Sequence, residues 1–380
     1  MMRFFNKFLL AGFILLAQNI LAQTITLRTM VKLPNFLKET SGLETTESSE
    51  FFWTHNDGGD GPRLYKMDTL GNLIKTVMVS NVLNIDIEDV TQDEHQNFYL
   101  ADIGNNSNDR KNLRIYKIPN PDNASNDSVN AEIIQVIYPN QTEFPPNQSQ
   151  FNFDAEAIIY LDSALYLFSK NRTVPFTGYT YLYKIPSVSG TYTATLLDSF
   201  RTGLGFKEQL WITAADLSPN GKRLALLSSD KIFVFTEFAG DRFFDGKVKQ
   251  IDLNSFTQKE ALVFLNEDEF YITDEFYDIL GGQNLYYGNL KPIYSIDVKP
   301  IKKKSLKLVN YSNQNNQNQI SLFDESKTVQ IRIVDNSGRT LTDCELNKTK
   351  KTLKLDVKFG LYTILANDGN FVEELRVLIY

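Results

Sequence analysis

The sequence predicts an all-β protein: a β-propeller of five or six four-stranded blades, followed by a small C-terminal β-sandwich. Three observations support this prediction. Paired apolar runs joined by a polar turn recur along the chain, no long segment after residue 22 has a helical 3.6-residue period, and the composition changes near residue 300. A unit of four short runs repeated several times is typical of propeller blades. The expected division is residues 1–22, 23–300, 301–319 and 320–380.

Residues 1–22 have the features of a signal peptide. Arg3 and Lys7 form a positively charged n-region, residues 8–16 form an apolar h-region, and residues 20–22 end in the small residue expected at a cleavage site. The apolar run is shorter than the roughly 20 residues that cross a bilayer. We therefore expect a secreted or cell-surface protein without a membrane span.

Five copies of the paired runs can be aligned. In the fourth copy the turn is Pro219-Asn220-Gly221, where Asn-Gly can adopt the positive φ angles of a tight turn. A third run with alternating character follows in every copy, and a fourth run is visible in several, as expected of antiparallel strands. The second runs of the five pairs begin at Phe51, Phe98, Leu165, Arg223 and Phe270.

The blade number and the closure of the ring follow from this alignment. Five blades are counted by their inner strands, and a sixth could lie in residues 187–210 or 290–298. The run at residues 24–31 is expected to pair with the last blade, which closes the ring and removes exposed sheet edges. An array of β-sandwiches is the structural alternative, and the regular four-run units disfavour it.

The chain changes character after about residue 300. A lysine-rich segment and the Asn- and Gln-rich residues 312–319 predict a linker over 301–319. Residues 320–380 contain short alternating runs around a turn at residues 335–339, which predict a small Ig-like β-sandwich.

The composition excludes several classes of function. The formal net charge of -7 lacks the basic face that a nucleic-acid partner requires. Cys344 is the only cysteine, so an internal disulfide and a Cys-based zinc site are excluded. No G-x-S-x-G, H-E-x-x-H or P-loop motif is present. We expect a monomer.

Acidic residues recur at the repeat-aligned positions around the expected central channel. Converging carboxylates repel one another unless a cation or a basic group neutralises them. Oxygen ligands of this kind favour Ca²⁺. The alternative is that these side chains accept backbone hydrogen bonds and only hold the blades together, and the sequence leaves both interpretations open. The predicted metal ligands are Asp57, Glu88, Asp89, Asp102, Glu156, Glu260 and Asp274.

Three further residues are candidates for chemistry. His55 lies in a polar, turn-rich stretch beside Trp53 and could act as a general acid or base, together with Glu156. A histidine hydrogen-bonded into the rim of the propeller is the alternative. Lys170 and Arg172 form a basic pair at the ends of the second strands. They could bind an anionic substrate or simply balance the carboxylates.

The C-terminal part resembles the sorting domain of proteins exported by the type IX secretion system. The similarity lies in residues 331–339, in the run 355–359 that leads into Gly360-Leu361-Tyr362, and in the closing strand Glu374-Leu375-Arg376-Val377. The usual Pro-Asn-Pro opening and a terminal lysine are absent. The resemblance implies that the type IX machinery is a partner and that the tail sorts or anchors the protein.

The propeller part has a resemblance of its own. Asp154-Ala155-Glu156-Ala157-Ile158 and Asp86-Ile87-Glu88-Asp89-Val90 are similar to strands of phytase-like and esterase-like β-propellers, a calcium-using family. This resemblance implies channel-bound Ca²⁺ and hydrolysis of an ester or phosphoester by metal-activated water. The alternative is a non-catalytic propeller that binds a glycan, a peptide or a partner protein.

Overall fold

The structure is a computed structural model that describes residues 23–46, 48–294, 309–314, 317–324, 326–335, 340–357, 360–369 and 372–379. The chain forms two compact units, Met1–Ile296 and Asp297–Tyr380. The predicted signal peptide at residues 1–22 lies outside the described residues, so it stays a prediction. No helix in the described part of the chain has the length and apolar character needed to cross a membrane.

The strands of the first unit follow the predicted repeats. They begin with β1 (Gln23–Thr24) and β2 (Arg28–Lys32), and blade 1 contains β3 (Thr40–Glu44), β4 (Phe51–Asn56), β5 (Arg63–Asp68) and β6 (Leu73–Val79). The next strands are β7 (Ile87–Gln92), β8 (Phe98–Asp102), β9 (Arg114–Ile118), β10 (Ser128–Val129) and β11 (Glu132–Ile137), and all but β10 form blade 2.

The remaining blades continue this order. β12 (Asp154–Leu161), β13 (Ala164–Lys170), β14 (Tyr179–Pro186), β15 (Gly190–Thr193) and β16 (Thr195–Arg201) come next, and all but β15 form blade 3. Blade 4 contains β17 (Ala214–Leu217), β18 (Arg223–Leu227), β19 (Lys231–Thr236) and β20 (Lys247–Asp252). Blade 5 contains β21 (Lys259–Phe264), β22 (Glu269–Asp274) and β23 (Asn284–Asn289), followed by helix α1 (Lys291–Tyr294). Short 3₁₀ turns lie at Asn35–Leu37, Pro121–Asn123, Gln148–Gln150, Lys207–Gln209 and Phe243–Asp245.

The described residues form five blades arranged in a closed ring. The first strands β3, β7, β12, β17 and β21 each contact the next, and β21 contacts β3 again. The predicted alternative of a sixth blade is wrong for residues 187–210, because β15 pairs with β11 of blade 2 and β16 is the outer strand of blade 3. In residues 290–298, the described part contains α1 and no strand.

The ring is closed by the N-terminal segment, as predicted. β2 pairs antiparallel with β23 and supplies the fourth strand of blade 5. The sequence did not predict that β1, β10 and β15 add in parallel to the outer strands of blades 4, 1 and 2. These short strands occupy backbone groups that an outer strand would otherwise present to another chain.

Apolar side chains pack between blades rather than in one central core. Separate clusters fill the five interfaces between neighbouring blades. Between blades 1 and 2, for example, Trp53 and Phe98 meet edge to face with ring centroids 6.5 Å apart. Both faces of each sheet are therefore covered, and the channel lined by the first strands is left for polar groups.

A β-bulge recurs at the start of the first strand. The pairing of first and second strands shifts register at Ser41, Glu88, Glu156 and Glu260, whereas β17 and β18 of blade 4 pair without a shift. A bulge leaves one residue outside the ladder and redirects its side chain. Three of the four bulge residues are the glutamates that the repeat alignment singled out.

The second unit consists of two sheets. β24 (Val309–Gln314), β25 (Gln317–Leu322) and β28 (Thr352–Leu355) form one sheet, and β26 (Val329–Asp335), β27 (Thr340–Leu346), β29 (Gly360–Asn367) and β30 (Val372–Ile379) form the other. The prediction of a linker over 301–319 is wrong at its C-terminal end, because β24 and β25 form a hairpin there. Val309, Ile320 and Leu322 are buried in the core of this unit, and their burial outweighs the polar composition around them.

Candidate active site at one mouth of the channel

The first strands begin, and the second strands end, at the same mouth of the channel. Asp154 and Glu156 lie at the start of β12, and Lys170 and Arg172 lie at the end of β13 and just after it. Antiparallel pairing places Asp154 opposite Lys170 in the register. The bulge at Glu156 allows this side chain and that of Asp154 to face the same pair of cations.

Two buried ion pairs form at this point. Lys170 Nζ donates to Glu156 Oε2, and Arg172 Nε donates to Asp154 Oδ2. Arg172 also donates from Nη2 to Glu156 Oε1, at 3.1 Å. The backbone N–H of Asn105 donates to Asp154 Oδ1 at 2.6 Å. The two cations therefore fix the positions of both carboxylates.

Glu88 lies beside this arrangement without a comparable partner. It is 7 % exposed, and no described residue donates a hydrogen bond to its carboxylate. One carboxylate oxygen each from Glu88, Asp154 and Glu156 lie within 4.8 Å of one another. We call these three residues the acidic cluster.

Gly104 leaves the space that Glu88 occupies. A Cβ at this position would lie 2.1 Å from Glu88 Oε1 and 2.4 Å from Asp86 Oδ2. Asp86 is therefore also beside the acidic cluster. A side chain at this position would therefore require the carboxylates of Glu88 and Asp86 to move, because real Cβ atoms do not approach oxygen so closely.

Burial and charge shift the protonation of these groups. Burial and the neighbouring carboxylates of Glu156 and Asp86 raise the pKa of Glu88 well above its ordinary value. Burial opposes the charged form of Lys170, but Glu156 and Glu260 outweigh it and raise its pKa. The two cations thus stay charged, whereas burial disfavours the anionic form of the unpaired Glu88.

A second group of acids lies around the same mouth. One carboxylate oxygen each from Glu39, Asp57 and Glu275 lie within 4.8 Å of one another, and we call these residues the rim cluster. Burial and nearby acids raise the pKa of Asp57 to about 7. Burial and the charges of Glu260 and Asp57 raise the pKa of Glu275 well above its ordinary value. Gln258 donates to Glu275 Oε2.

A cavity of about 600 Å³ opens beside the two cations. Trp211 lines this cavity, and three cationic groups lie over its indole ring. Their distances to the ring centroid are 5.2 Å for Lys170, 5.0 Å for Arg172 and 5.0 Å for Lys207. The Trp211 Nε1–H donates to the carbonyl of Asn171. Apolar side chains form much of the wall of this aromatic cavity: Phe206, Trp211, Phe256, Tyr277 and Leu280. Polar groups from Lys170, Arg172, Gln209, Gln258 and Glu260 complete it.

The carboxylate oxygens of three predicted metal ligands, Asp89, Asp102 and Asp274, accept hydrogen bonds from neighbouring strands and loops. Asp89 accepts hydrogen bonds from the backbone N–H of Val90 at 2.9 Å and, in the next blade, of Ile158 at 3.0 Å. This is the role of holding blades together that the sequence left open as the alternative to metal binding. Asp89 therefore lies outside the acidic cluster.

The carboxylates of Asp102 and Asp274 also accept hydrogen bonds, in each case from groups of their own blade. Asp102 accepts from Arg110 and from the Tyr116 hydroxyl, both at 2.8 Å. Asp274 accepts from the backbone N–H of Asn284 and from the Tyr286 hydroxyl, both at 2.7 Å. The geometry assigns both aspartates to support of the loops that follow the second strands.

His55 is buried between blades 1 and 2, away from the aromatic cavity. Its Nδ1–H donates to the carbonyl of Asn56 at 3.1 Å, and Nε2 has no hydrogen-bond partner among the described residues. A Cβ on Gly42 would lie 2.3 Å from Nε2, so the ring fills the space above this glycine. Burial lowers the pKa of His55 to about 4. The structure therefore does not bring His55 together with Glu156.

Several residues of this mouth were not among the predicted site residues. Asp86 and Asp154 carried a detectable signal, because each stands two positions before a bulge glutamate in an Asp-x-Glu pattern. Glu39 precedes its strand without any repeat signal, and Trp211 lies in an irregular segment. Only the folded ring brings these segments to one mouth.

The opposite mouth of the channel has its own cavity of about 710 Å³, lined in part by Glu44, Gln92 and Asp216. Asp216 accepts from the backbone N–H groups of Leu217 and, in the next blade, Phe264, both at 2.7 Å. Gln92 donates to Glu44 at 2.6 Å. Glu44 and Asp216 thus accept hydrogen bonds within and between blades. We therefore interpret the acids at this mouth as groups that hold the blades together.

Comparisons with known proteins give no family for the chain. No protein-family model matches it, and no curated protein matches its sequence. Among solved structures it is similar to the PQQ-bound aldose sugar dehydrogenase of Streptomyces coelicolor, with a TM-score of 0.41 and 9% identity over 69% of this chain and 96% of that one.

Two other solved structures are similar to the chain with comparably low TM-scores and identities. A structural genomics protein of unknown function from Bacteroides thetaiotaomicron has a TM-score of 0.40 and 11% identity, covering 69% of this chain and 75% of that one. The periplasmic gluconolactonase of Pseudomonas aeruginosa has a TM-score of 0.34 and 12% identity, covering 90% and 95%. At these values the similarities carry no argument about activity.

Proposed function

We propose that this mouth of the propeller is a calcium-dependent hydrolytic site that acts on an ester or a phosphoester. One observation carries the proposal: Glu88 is only 7 % exposed, its carboxylate has no hydrogen-bond partner among the described residues, and it lies within 4.8 Å of two further carboxylates, next to a ligand-sized cavity. A buried carboxylate without a partner is costly, and a bound cation would remove that cost.

The residues present fit a hard cation. All donors of the acidic cluster are oxygens, which Ca²⁺ prefers, and Asp86 adds one more carboxylate beside Gly104. Lys170 and Arg172 balance only two of these four negative charges, so two remain for a divalent ion. Glu88, Asp86, Asp154 and Glu156 would hold the ion. When bound, Ca²⁺ would polarise the scissile group and lower the pKa of a bound water.

The chain's own groups supply the rest of the proposed chemistry. Lys170 and Arg172 hold Glu156 and Asp154 in fixed positions, which preorganises the site. Glu260 lines the aromatic cavity, and burial raises its pKa. In this proposal the Glu260 carboxyl group donates a proton to the leaving oxygen. In the overall reaction, water oxygen bonds to the acyl carbon or phosphorus, the bond from that atom to the leaving oxygen breaks, and the leaving oxygen gains a proton that water supplies.

The test compares hydrolysis of 4-nitrophenyl butyrate and 4-nitrophenyl phosphate in the presence of Ca²⁺ and of EDTA. We expect release of nitrophenol from at least one substrate, its loss in EDTA and its recovery on adding Ca²⁺. Glu88→Gln should lose the activity, whereas Glu94→Gln, an exposed control, should keep it. Activity that survives both EDTA and Glu88→Gln would sink the proposal.

A binding module without turnover is the second candidate. The observation that favours it is the aromatic cavity, whose wall can hold a ligand whether or not chemistry follows. A ligand that binds at this mouth but is recovered intact after prolonged incubation with the Ca²⁺-loaded protein would support this candidate against the first.

We also propose that Asp297–Tyr380 directs export by the type IX machinery and places the propeller outside the cell or on its surface. The support is the sequence resemblance, and residues 331–335 of that motif lie within β26. Deleting residues 297–380 should leave the protein in the cell fraction. Release of the truncated protein at the full-length level would contradict this role.

A further inference from the structure

We propose that the substrate is an uncharged carboxylic ester and that the aromatic cavity binds its apolar group. This inference rests on the proposed hydrolytic function and decides between the two ester classes that the function leaves open. The wall of the cavity, the charges around it and its size all favour such a ligand.

Large apolar side chains converge on the cavity while remaining accessible to solvent. Phe206 is 76 % exposed, Tyr277 is 48 % exposed and Phe256 is 41 % exposed. They come from three separate segments: the one before β17, the one after β22 and the one before β21. Exposed apolar side chains from different segments that face one cavity indicate a ligand with apolar surface, because binding it removes that surface from water.

The charges around the cavity disfavour an anionic ligand. Its two basic lining residues, Lys170 and Arg172, are already bonded to Glu156 and Asp154. Lys207, which approaches Trp211 from outside this lining, lies 3.9 Å from a carboxylate oxygen of Glu208. Two acids, Glu208 and Glu260, line the cavity as well.

Carboxylates also surround the mouth beyond the cavity. A phosphate group would therefore meet repulsion from the rim cluster, with its attraction to Lys170 and Arg172 opposed by their existing partners. A neutral carbonyl ester meets no such repulsion. The size of the cavity, about 600 Å³, lies in the range of sites for small molecules and accommodates an aryl or short acyl group.

The reaction balances without any further reactant. Water oxygen bonds to the carbonyl carbon, the bond between that carbon and the alkoxy oxygen breaks, and the alcohol oxygen takes a proton. The products are a carboxylic acid and an alcohol, and nothing is oxidised or reduced.

Binding can be measured separately from hydrolysis because the chain has two tryptophans, of which Trp53 is fully buried and Trp211 lines the cavity. Butyrophenone is a neutral ketone that cannot be hydrolysed, and phenyl phosphate is its charged counterpart. Each would be titrated into the Ca²⁺-loaded full-length protein while fluorescence is recorded, with Trp211→Phe identifying the signal from the cavity.

We expect the ketone to bind at least about tenfold more tightly than phenyl phosphate, and Phe206→Ala and Tyr277→Ala each to weaken its binding by about three- to tenfold. Leu70→Ala, an exposed apolar control outside the cavity, should leave binding unchanged. The same order should hold for kcat/KM with the butyrate and phosphate esters of 4-nitrophenol.

The outcomes separate this inference from the proposed function. Equal or tighter binding of phenyl phosphate, or ester hydrolysis that Phe206→Ala and Tyr277→Ala leave unchanged, would overturn the ligand class while the hydrolytic function stands. Ketone binding without hydrolysis of any ester would support the ligand class and overturn the hydrolytic function.

Discussion

Glu88 and Asp89 are adjacent in sequence, yet their carboxylates meet different surroundings. The Asp89 carboxylate accepts two backbone hydrogen bonds, one of them from the next blade, and the Glu88 carboxylate accepts none from the described residues. We predict that Asp89→Ala lowers the free energy of unfolding by about 2 kcal/mol or more, because it leaves two buried N–H groups unpaired. Urea unfolding of the calcium-free protein measures this change.

The neighbouring substitution should have the opposite effect. Glu88→Gln removes a buried charge, so the calcium-free protein should be unchanged or more stable by about 1 kcal/mol. An equal loss of stability in both variants would show that Glu88 has the same structural role as Asp89.

Gly104 tests the geometry beside Glu88. Gly104→Ala places a Cβ 2.1 Å from Glu88 Oε1, so the carboxylate must move. We predict that calcium-dependent activity falls by at least about tenfold, since a misplaced ligand of this kind commonly costs that much. Gly61→Ala is the control, because its Cβ would lie at ordinary distances of 3.4–3.5 Å from Arg63. Full activity of Gly104→Ala would place the ion elsewhere.

The burial of His55 leads us to predict that the stability of the protein depends on pH. Burial lowers its pKa from 6.5 to about 4 in the folded state, so between these values the unfolded state binds more protons than the folded state. The free energy of unfolding should therefore fall as the pH drops from about 6.5 to 4, by up to about 3 kcal/mol from this residue.

Substitution separates the two histidines of the chain. His55→Gln should flatten this part of the stability profile measured by urea unfolding at several pH values. His95→Gln should leave the profile unchanged, because His95 is exposed. A profile that keeps its slope in His55→Gln would mean that other groups cause the loss of stability in acid.

At the scale of the elements, the β-bulge is the feature that links sequence to site. The alignment of paired runs placed Glu88, Glu156 and Glu260 at equivalent positions, and the structure places each at a register shift. The sequence could predict this equivalence because strands alternate with period two. It could not predict which carboxylates bind a neighbouring blade, because that depends on how the bulge turns the side chains of Glu88 and Asp89.

The hairpin of β24 and β25 shows a second limit of prediction from composition. Residues 312–319 are rich in Asn and Gln, which predicted a linker, yet Val309, Ile320 and Leu322 supply enough buried apolar surface for two strands. Strand formation depends on packing against other elements more than on the local composition.

The pairing of β2 with the last blade leads us to predict that this strand stabilises the ring. β2 pairs with β23 and completes blade 5. Deleting residues 23–32 would leave β23 as an exposed edge and remove the buried side chain of Ile25. We expect a lower melting temperature by several degrees and a tendency to aggregate, measured by calorimetry and light scattering. A truncated protein with unchanged melting temperature and solubility would show that β2 does not contribute to closure.

At the scale of the whole molecule, the fold was largely predictable and the site only in part. Repeats fixed the propeller and its closure, because each blade must bury both faces against its neighbours. The aromatic cavity depends on Phe206, Trp211 and Tyr277, which lie in irregular segments without a repeat signal. The prediction of His55 as a catalytic residue rested on polar neighbours in sequence, and the fold turns its ring toward Gly42 instead.

Thermal unfolding with and without Ca²⁺ shows whether a divalent cation binds at the acidic cluster. At Ca²⁺ concentrations of about 100 times the dissociation constant, a single site adds about 2.7 kcal/mol to the free energy of unfolding. The melting temperature of the wild type should then rise by several degrees above its value in EDTA.

Two variants locate the ion. The rise should disappear in Glu88→Gln and persist in Glu275→Gln, which alters only the rim cluster. No rise in the wild type, or a rise that Glu275→Gln abolishes and Glu88→Gln preserves, would contradict the account.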